Sequence, residues 1–192
     1  MVSMVDIFAE LGRRLQGFGD DEKSAQVIER SLLANEWFSR EDILMAVGAI
    51  CEEMLDRSKL KAWADYYPAV KRQKNVGIIM AGNLPLVGFF DMLCVLIAGH
   101  RAIIKPSSKD LVLTNYIVDI LKYIQYDIPI EMLSDDSVVD MVIATGGDVA
   151  AQYFKKRYAD IPSLIRGSRH SVAVLSGEES DEEMQGLGRD IY

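Results

Sequence analysis

The sequence predicts an α/β protein: a doubly wound parallel sheet preceded by a helical segment. Three observations predict it. After residue 74, short aliphatic runs alternate with helical stretches, and strands separated by helices imply right-handed βαβ crossovers and a sheet covered on both faces. Before residue 74 no β pattern appears. The chain has 192 residues, 49% of them apolar and 26% charged, which is core enough for about one domain.

The elements follow in order. In 1–74, SAQVIERSLLANEWF (24–38) and REDILMAVGAICEEMLDRSKLKAWADYY (40–67) place apolar side chains at helical spacing among charges. Ser39, followed by Arg40, Glu41 and Asp42, reads as an N-cap with acidic residues in the first turn, where the helix dipole favours them. Pro68 stops the run. This segment holds no recognisable catalytic set and is expected to pack as a helical layer on the sheet. From residue 75 the expected elements are the strand NVGIIMA (75–81), the helix PLVGFFDMLCVLIAG (85–99), the strand RAIIK (101–105) and the helix DLVLTNYIVDILKYI (110–124). The strand VDMVIAT (139–145), the helix GDVAAQYFKKRYA (147–159), the strand SVAVLS (171–176) and the start of a last helix, EESDEEMQGLGRDIY (178–192), complete the domain.

Charge and cysteine usage exclude several function classes. Lys+Arg 21 against Asp+Glu 29 gives a net charge of -8, so the chain repels phosphodiester backbones and anionic lipid. Asp6 and Glu10 interrupt the apolar core that a signal peptide needs, and a cytoplasmic location is expected. The stretch 77–99 is long enough to span a membrane, but Asn83, Pro85 and Asp91 make it a strand, a turn and a helix. Cys51 and Cys94 form no CxxC, as suits a reducing compartment. No metal site is expected.

In a doubly wound sheet, ligands bind at the carboxyl ends of the strands. The first strand ends at Ala81-Gly82-Asn83-Leu84-Pro85, where Asn83 either caps the following helix in an Asx turn or points its amide into the cleft. The second ends at Lys105-Pro106-Ser107-Ser108-Lys109-Asp110. The lysine and hydroxyls there can hold ribose or phosphate oxygens, or the segment is a solvated loop with Ser or Asp capping the next helix. Thr145-Gly146-Gly147 opens onto Asp148, and two glycines at a helix N-terminus can offer amides to a pyrophosphate. No GxGxxG is present, and Gly186-Leu187-Gly188 follows no strand. Cys94, in mid-helix, and Cys51 have the setting of inert buried thiols. His100 reads as a helix C-terminal residue, and Lys155, Lys156 and Arg157 as a solvated last turn. Arg166, Arg169 and His170 either face the phosphates of a bound ligand or form a solvated basic loop.

GIIMAGNLPLVGFFDMLCVLIAGHRAIIKPSSKD resembles the aldehyde dehydrogenase superfamily, with its strand, Asn-x-Pro turn, helix ending in Ala-Gly and strand ending in Lys-Pro-Ser. IATGGDVAAQYF is similar to that superfamily's Thr-Gly-Ser strand and helix, and SLIRGSRHSVAVL to its Leu-Glu-Leu-Gly-Gly-Lys segment. Within the superfamily, MAGNLPLVGFFDMLCVL, KPSSKD and IRGSRHSVAVLSGEE followed by LGRDIY resemble the fatty acyl-CoA reductases of the LuxC type. The resemblance is strong from 75 to 192 and holds for the N-terminal helices only in their order.

The resemblance implies a Rossmann-like cofactor domain and a set of roles. Asn83 matches the asparagine whose amide, with a backbone N–H, stabilises the oxyanion formed when cysteine attacks a thioester or aldehyde. Lys105 matches the lysine at the adenine ribose, with Ser107 beside it. Ser108 stands where NAD-preferring members often place a glutamate, and with Lys109 adjacent the implied cofactor is NADP(H). Gly146 and Gly147 match the turn beside the pyrophosphate, Gly147 replacing the usual serine. The general-base glutamate corresponds to Ile165, which suits an acyl group that is reduced or exchanged with CoA rather than hydrolysed. The family's catalytic cysteine lies shortly after the position of Tyr192.

The expectation is therefore an incomplete dinucleotide-binding domain (75–192) behind a helical segment (1–74), a fragment of an NADP-dependent acyl-CoA reductase. The expected partners are an acyl-CoA or acyl-protein donor, with no nucleic acid and no membrane; self-association into a homo-oligomer is compatible with it. The alternative is a non-catalytic nucleotide-binding or interaction module.

Overall fold

The computed structural model describes residues 3–68 and 70–191. Four helices come first: α1 (Met4–Leu15), α2 (Glu22–Ala34), α3 (Arg40–Ala49) and α4 (Arg57–Tyr66). Each starts at a side-chain cap, provided by Ser3, Asp21, Ser39 and Asp56, which satisfies one of the N–H groups left orphaned at a helix start. Ser39 and Asp42 form a reciprocal capping box. The helical stretch 40–67 is divided in two. A π-helical turn (Ile50–Met54) follows α3, and Asp56 caps α4 anew.

The sheet contains β1 (Asn75–Ile79), β2 (Arg101–Lys105), β3 (Ile130–Met132), β4 (Met141–Thr145) and β5 (Ser163–Arg166), all parallel, in the order β3-β2-β1-β4-β5. Helix α5 (Phe89–Ile97) links β1 to β2, α6 (Leu111–Ile124) links β2 to β3, and α7 (Asp148–Arg157) links β4 to β5. The chain advances one way from β1 to β3 and the other way from β4 to β5. Right-handed crossovers therefore put α5 and α6 on one face and α7 on the opposite one. Helix α8 (Asp181–Ile191) comes last, and Tyr192, the end of the expected helix, lies outside the described residues.

One apolar core joins the helices to the sheet, running from Ile7, Phe8 and Leu11 through Ile78, Leu96 and Ile104 to Leu121 and Ile130. The Phe8 ring of α1 meets Phe89 of α5 edge to face, 6.2 Å between centroids. Gly99, at φ 86, ends α5: its own N–H donates to the Leu96 carbonyl, and the His100 N–H donates to that of Val95.

Three expectations change. Residues 171–176 form no strand, and Val172 and Val174 are 89% and 91% exposed. They have no neighbouring ladder, and extended backbone needs one to become a strand. The short strands β3 and β5, neither expected, complete the sheet instead. The helix expected from 85 begins at Phe89, because Pro85 to Gly88 are turn.

Candidate functional site at the carboxyl ends of the strands

The topological switch point lies between β1 and β4, and such a reversal opens a crevice at the carboxyl ends of the strands. Three loops converge there: 80–88 after β1, 106–110 after β2, and 146–147 after β4.

The loop after β1 is held from several sides. The Met80 N–H donates to the Lys105 carbonyl over 3.0 Å, extending the β1–β2 ladder by one bond. The buried Asn35 amide, 4% exposed, donates to the Gly82 carbonyl over 3.1 Å. Gly82 has no room for a side chain, since a Cβ there would lie 2.4 Å from Ser107 Oγ. Leu86 adopts a left-handed φ of 55, rare for a bulky residue, and its N–H donates to Asp110 Oδ2 over 2.9 Å. Asn83 sits between these fixed points, exposed, and its carboxamide makes no hydrogen bond among the described residues. It is not the cap of α5: that position is Gly88, which makes no side-chain cap bond.

Lys105 stands at the end of β2, exposed, and lines a cleft of 460 Å³ with Ile79, Ser134, Asp135, Tyr153 and Arg157. Ser107 caps the short 3-10 turn 108–110, its hydroxyl accepting from the Lys109 N–H over 3.3 Å. Ser108 lies exposed in that turn. Lys109 faces away from the Lys105 cleft: its Nζ lies 6.0 Å from the centre of the Trp37 ring. Arg157 is exposed in the last turn of α7, as expected, and it also lines the cleft with Lys105.

Gly147 is the N-cap of α7. Gly146 donates its N–H to the Arg166 carbonyl over 3.1 Å, so that amide is engaged in the protein. Asp148 accepts from the Ser168 N–H over 2.9 Å, tying the start of α7 to the segment after β5. Arg166 does not join Arg169 and His170 in a basic loop. Its Nη1 donates to both carboxylate oxygens of Asp91, at 2.8 and 2.7 Å, in an ion pair mostly shielded from solvent, a charge-assisted contact stronger than a neutral hydrogen bond. Ile165 pairs with Ala144 in the ladder and places an alkyl group at the end of β5.

Neither thiol is activated. Burial, aided by the Asp91 carboxylate and opposed by Arg166, pushes Cys94 up to about 11. Burial and the neighbouring Glu52 also raise Cys51. Cys94 lines an apolar cleft of 710 Å³ with Trp63 and Tyr67. That cleft includes the end of α5, and so lies at the opposite edge of the sheet from Asn83. Among the described residues no group of three or more His, Cys, Asp or Glu is placed to hold a metal ion. No described helix is long and apolar enough to cross a membrane.

The parallel sheet and its switch point define a protein with the aldehyde dehydrogenase fold. Similar solved structures include a putative aldehyde dehydrogenase from Burkholderia cenocepacia (TM-score 0.65, 14% identity, covering 86% of this chain and 38% of that one). Aldehyde dehydrogenase 21 from Physcomitrella patens, in complex with the reaction product succinate, matches with TM-score 0.65 and 15% identity over 96% of this chain and 43% of its own. Betaine aldehyde dehydrogenase from Staphylococcus aureus, in complex with NAD+, matches with TM-score 0.57 and 13% identity over 85% and 38%. The chain thus spans about two fifths of the length of these proteins. The particular family follows from the sequence profile: residues 16–192 match acyl-CoA reductase (LuxC), and the chain belongs to that family. The match begins at residue 16, so it takes in α2, α3 and α4 as well as the sheet. No curated protein matches the chain.

Proposed function

We propose that this chain is the cofactor-binding part of an NADP(H)-dependent, cytoplasmic reductase that converts an acyl-CoA or acyl-protein thioester to the aldehyde through an acyl-cysteine. The observation that carries the proposal is Asn83. Its carboxamide is free of capping duty and exposed at the switch point, in a turn fixed at both ends. A preorganised amide donor is the group such chemistry asks for, because negative charge develops on the carbonyl oxygen twice, once as a thiolate attacks and once on reduction.

The Lys105 cleft suits the adenosine end of a dinucleotide. Lys105 and Arg157 supply cations and Ser134 a hydroxyl, against the single carboxylate of Asp135. Ser108 carries no carboxylate to oppose a 2'-phosphate, and Arg157 supplies a cation within the Lys105 cleft. When bound, the reduced nicotinamide supplies the hydride that reaches the acyl carbon. The chain's own residues bind and orient: Lys105 holds the ribose, and Asn83 donates to the oxyanion. Ile165 offers no base to activate water, so the acyl group is not lost by hydrolysis. One thioester, one NADPH and one proton give one aldehyde, one CoA thiol and one NADP+.

The nucleophile is a cysteine outside these 192 residues, since Cys51 and Cys94 are both held in the unreactive thiol form. The test supplies acyl-CoA and NADPH to the 192-residue chain and to a longer chain that includes the thiol. The expected result is no turnover in the first, and aldehyde and free CoA in equal amounts in the second. NADPH oxidation by the shorter chain that disappears on changing Cys51 or Cys94 would overturn the assignment.

A further inference from the structure

We propose that Asp110 is a positioning residue for Asn83: through the Leu86 N–H it holds the 82–88 turn in the conformation that presents the Asn83 carboxamide to the crevice. The proposal rests on the reading of Asn83 as the oxyanion donor. It is carried by the placement of a buried carboxyl that otherwise has no evident task.

Asp110 is 4% exposed. It precedes α6 at the N-cap position, yet makes no side-chain cap bond to that helix. Its carboxyl reaches sideways instead, where Oδ2 accepts from the Leu86 N–H at 2.9 Å, 24 residues away in sequence. Oδ1 has no hydrogen-bond partner. A buried carboxyl with an unpartnered oxygen is a poor stability device, because an apolar side chain of similar volume would fill the site without the desolvation penalty. Its bond to the backbone goes to the one non-glycine residue with positive φ among the described residues. A leucine stays in that region only where its surroundings over-determine it. Here they do: the side chain is buried, the carbonyl accepts from the Phe89 N–H at 2.9 Å, and the N–H is fixed by Asp110.

The lever to Asn83 is short. Asn35 and Ser107 fix the turn at Gly82, and Asp110 fixes it at Leu86. Of the three residues between, Pro85 has its φ locked by its ring, which leaves Asn83 and Leu84 little freedom. Release of Leu86 lets the turn relax and swings the Asn83 amide away from a fixed direction.

Two variants separate this role from a purely structural one. Asp110→Asn keeps an acceptor for the Leu86 N–H; Asp110→Leu keeps the volume and removes the acceptor. On the 192-residue chain, amide hydrogen exchange at Leu86 is expected to accelerate by about tenfold or more in the leucine variant, the usual scale for loss of a bond to a carboxyl group. The Asn83 side-chain resonances shift with it, while Ile78 in β1 stays protected. The asparagine variant keeps Leu86 exchange within about threefold of the parent on the same scale. In a longer chain that carries the thiol, the leucine variant lowers the single-turnover rate about tenfold with KM for acyl-CoA nearly unchanged, and asparagine restores it. If the leucine variant does not fold, Asp110→Ser, too short to reach Leu86, takes its place. Unchanged Leu86 exchange and unchanged Asn83 resonances in a folded acceptor-less variant overturn the proposal. A released turn with an unaltered rate would support the positioning and count instead against the oxyanion role of Asn83.

Discussion

Asp110 lies buried against the loop after β1, and Arg157 lines the Lys105 cleft. Burial pushes the Asp110 carboxyl up to about 7, against the Leu86 N–H and the Thr114 hydroxyl, which both favour its ionised form. Between pH 4 and 7 the folded chain therefore holds a proton here that the unfolded chain has lost, so this group's contribution to stability falls as pH rises through that window and is level above it. The full effect is on the order of 4 kcal/mol. Asp110→Asn should remove it, and the melting-temperature difference between variant and parent should grow in favour of asparagine from pH 4 to pH 7; a constant difference contradicts the burial account. Under the proposed NADP(H) reading, the charge for a 2'-phosphate would come from Arg157 rather than Lys109, because Lys109 lies over Trp37 and Arg157 lines the Lys105 cleft. Calorimetry should show 2',5'-ADP binding more tightly than 5'-AMP by about 1 kcal/mol, the scale of one exposed ion pair. Arg157→Ala should abolish the preference and Lys109→Ala should leave it. The sequence could name Asn83 and Lys105 because each stands directly after an aliphatic run. It could not reveal what holds them: the bonds Asp110 to Leu86, Asn35 to Gly82 and Arg166 to Asp91 span 24, 47 and 75 residues, and no local pattern marks such a pairing.

At the scale of elements, legibility followed length and partnership. β1, β2 and β4 each have five residues and continuous aliphatic character, and all three were evident. β3 has three residues and β5 has four, too few to stand out from a loop. The run 171–176 carries strand chemistry without a ladder to join, which residue type alone cannot report. The two loops at the switch point make opposite predictions for their glycines. A Cβ at Gly82 would press on Ser107 Oγ at 2.4 Å, so Gly82→Ala should destabilise the chain by about 1–3 kcal/mol, the scale of overpacking. At Gly147 the φ is -68, and a Cβ would meet only Ser168 Oγ, at 4.0 Å. Gly147→Ser should therefore be accepted, and should raise stability by about 0.3 kcal/mol through a better N-cap for α7. Thermal unfolding of the two variants checks both signs, and equal effects would refute the packing argument.

The molecule as a whole is a five-stranded cofactor-type sheet whose α5 and α6 face is covered by its own N-terminal helices in one continuous core. Of the candidate site residues, Asn83 sits on a loop projecting from that frame, and Lys105 and Arg157 stand at the ends of β2 and α7, an arrangement by which a fold can hold a site without itself fixing the chemistry. In the proposed reaction this frame aims the Asn83 amide at a reacting carbonyl. In a longer chain that includes the thiol, the single-turnover rate of acyl reduction and the melting temperature of Asn83→Ala should be compared with those of the parent. The rate should fall about a hundredfold, the usual effect of losing one oxyanion donor, with cofactor affinity and melting temperature nearly unchanged because α5 is capped at Gly88. A melting temperature lowered by the equivalent of about 1 kcal/mol, as for a lost helix cap, with the rate intact would contradict it.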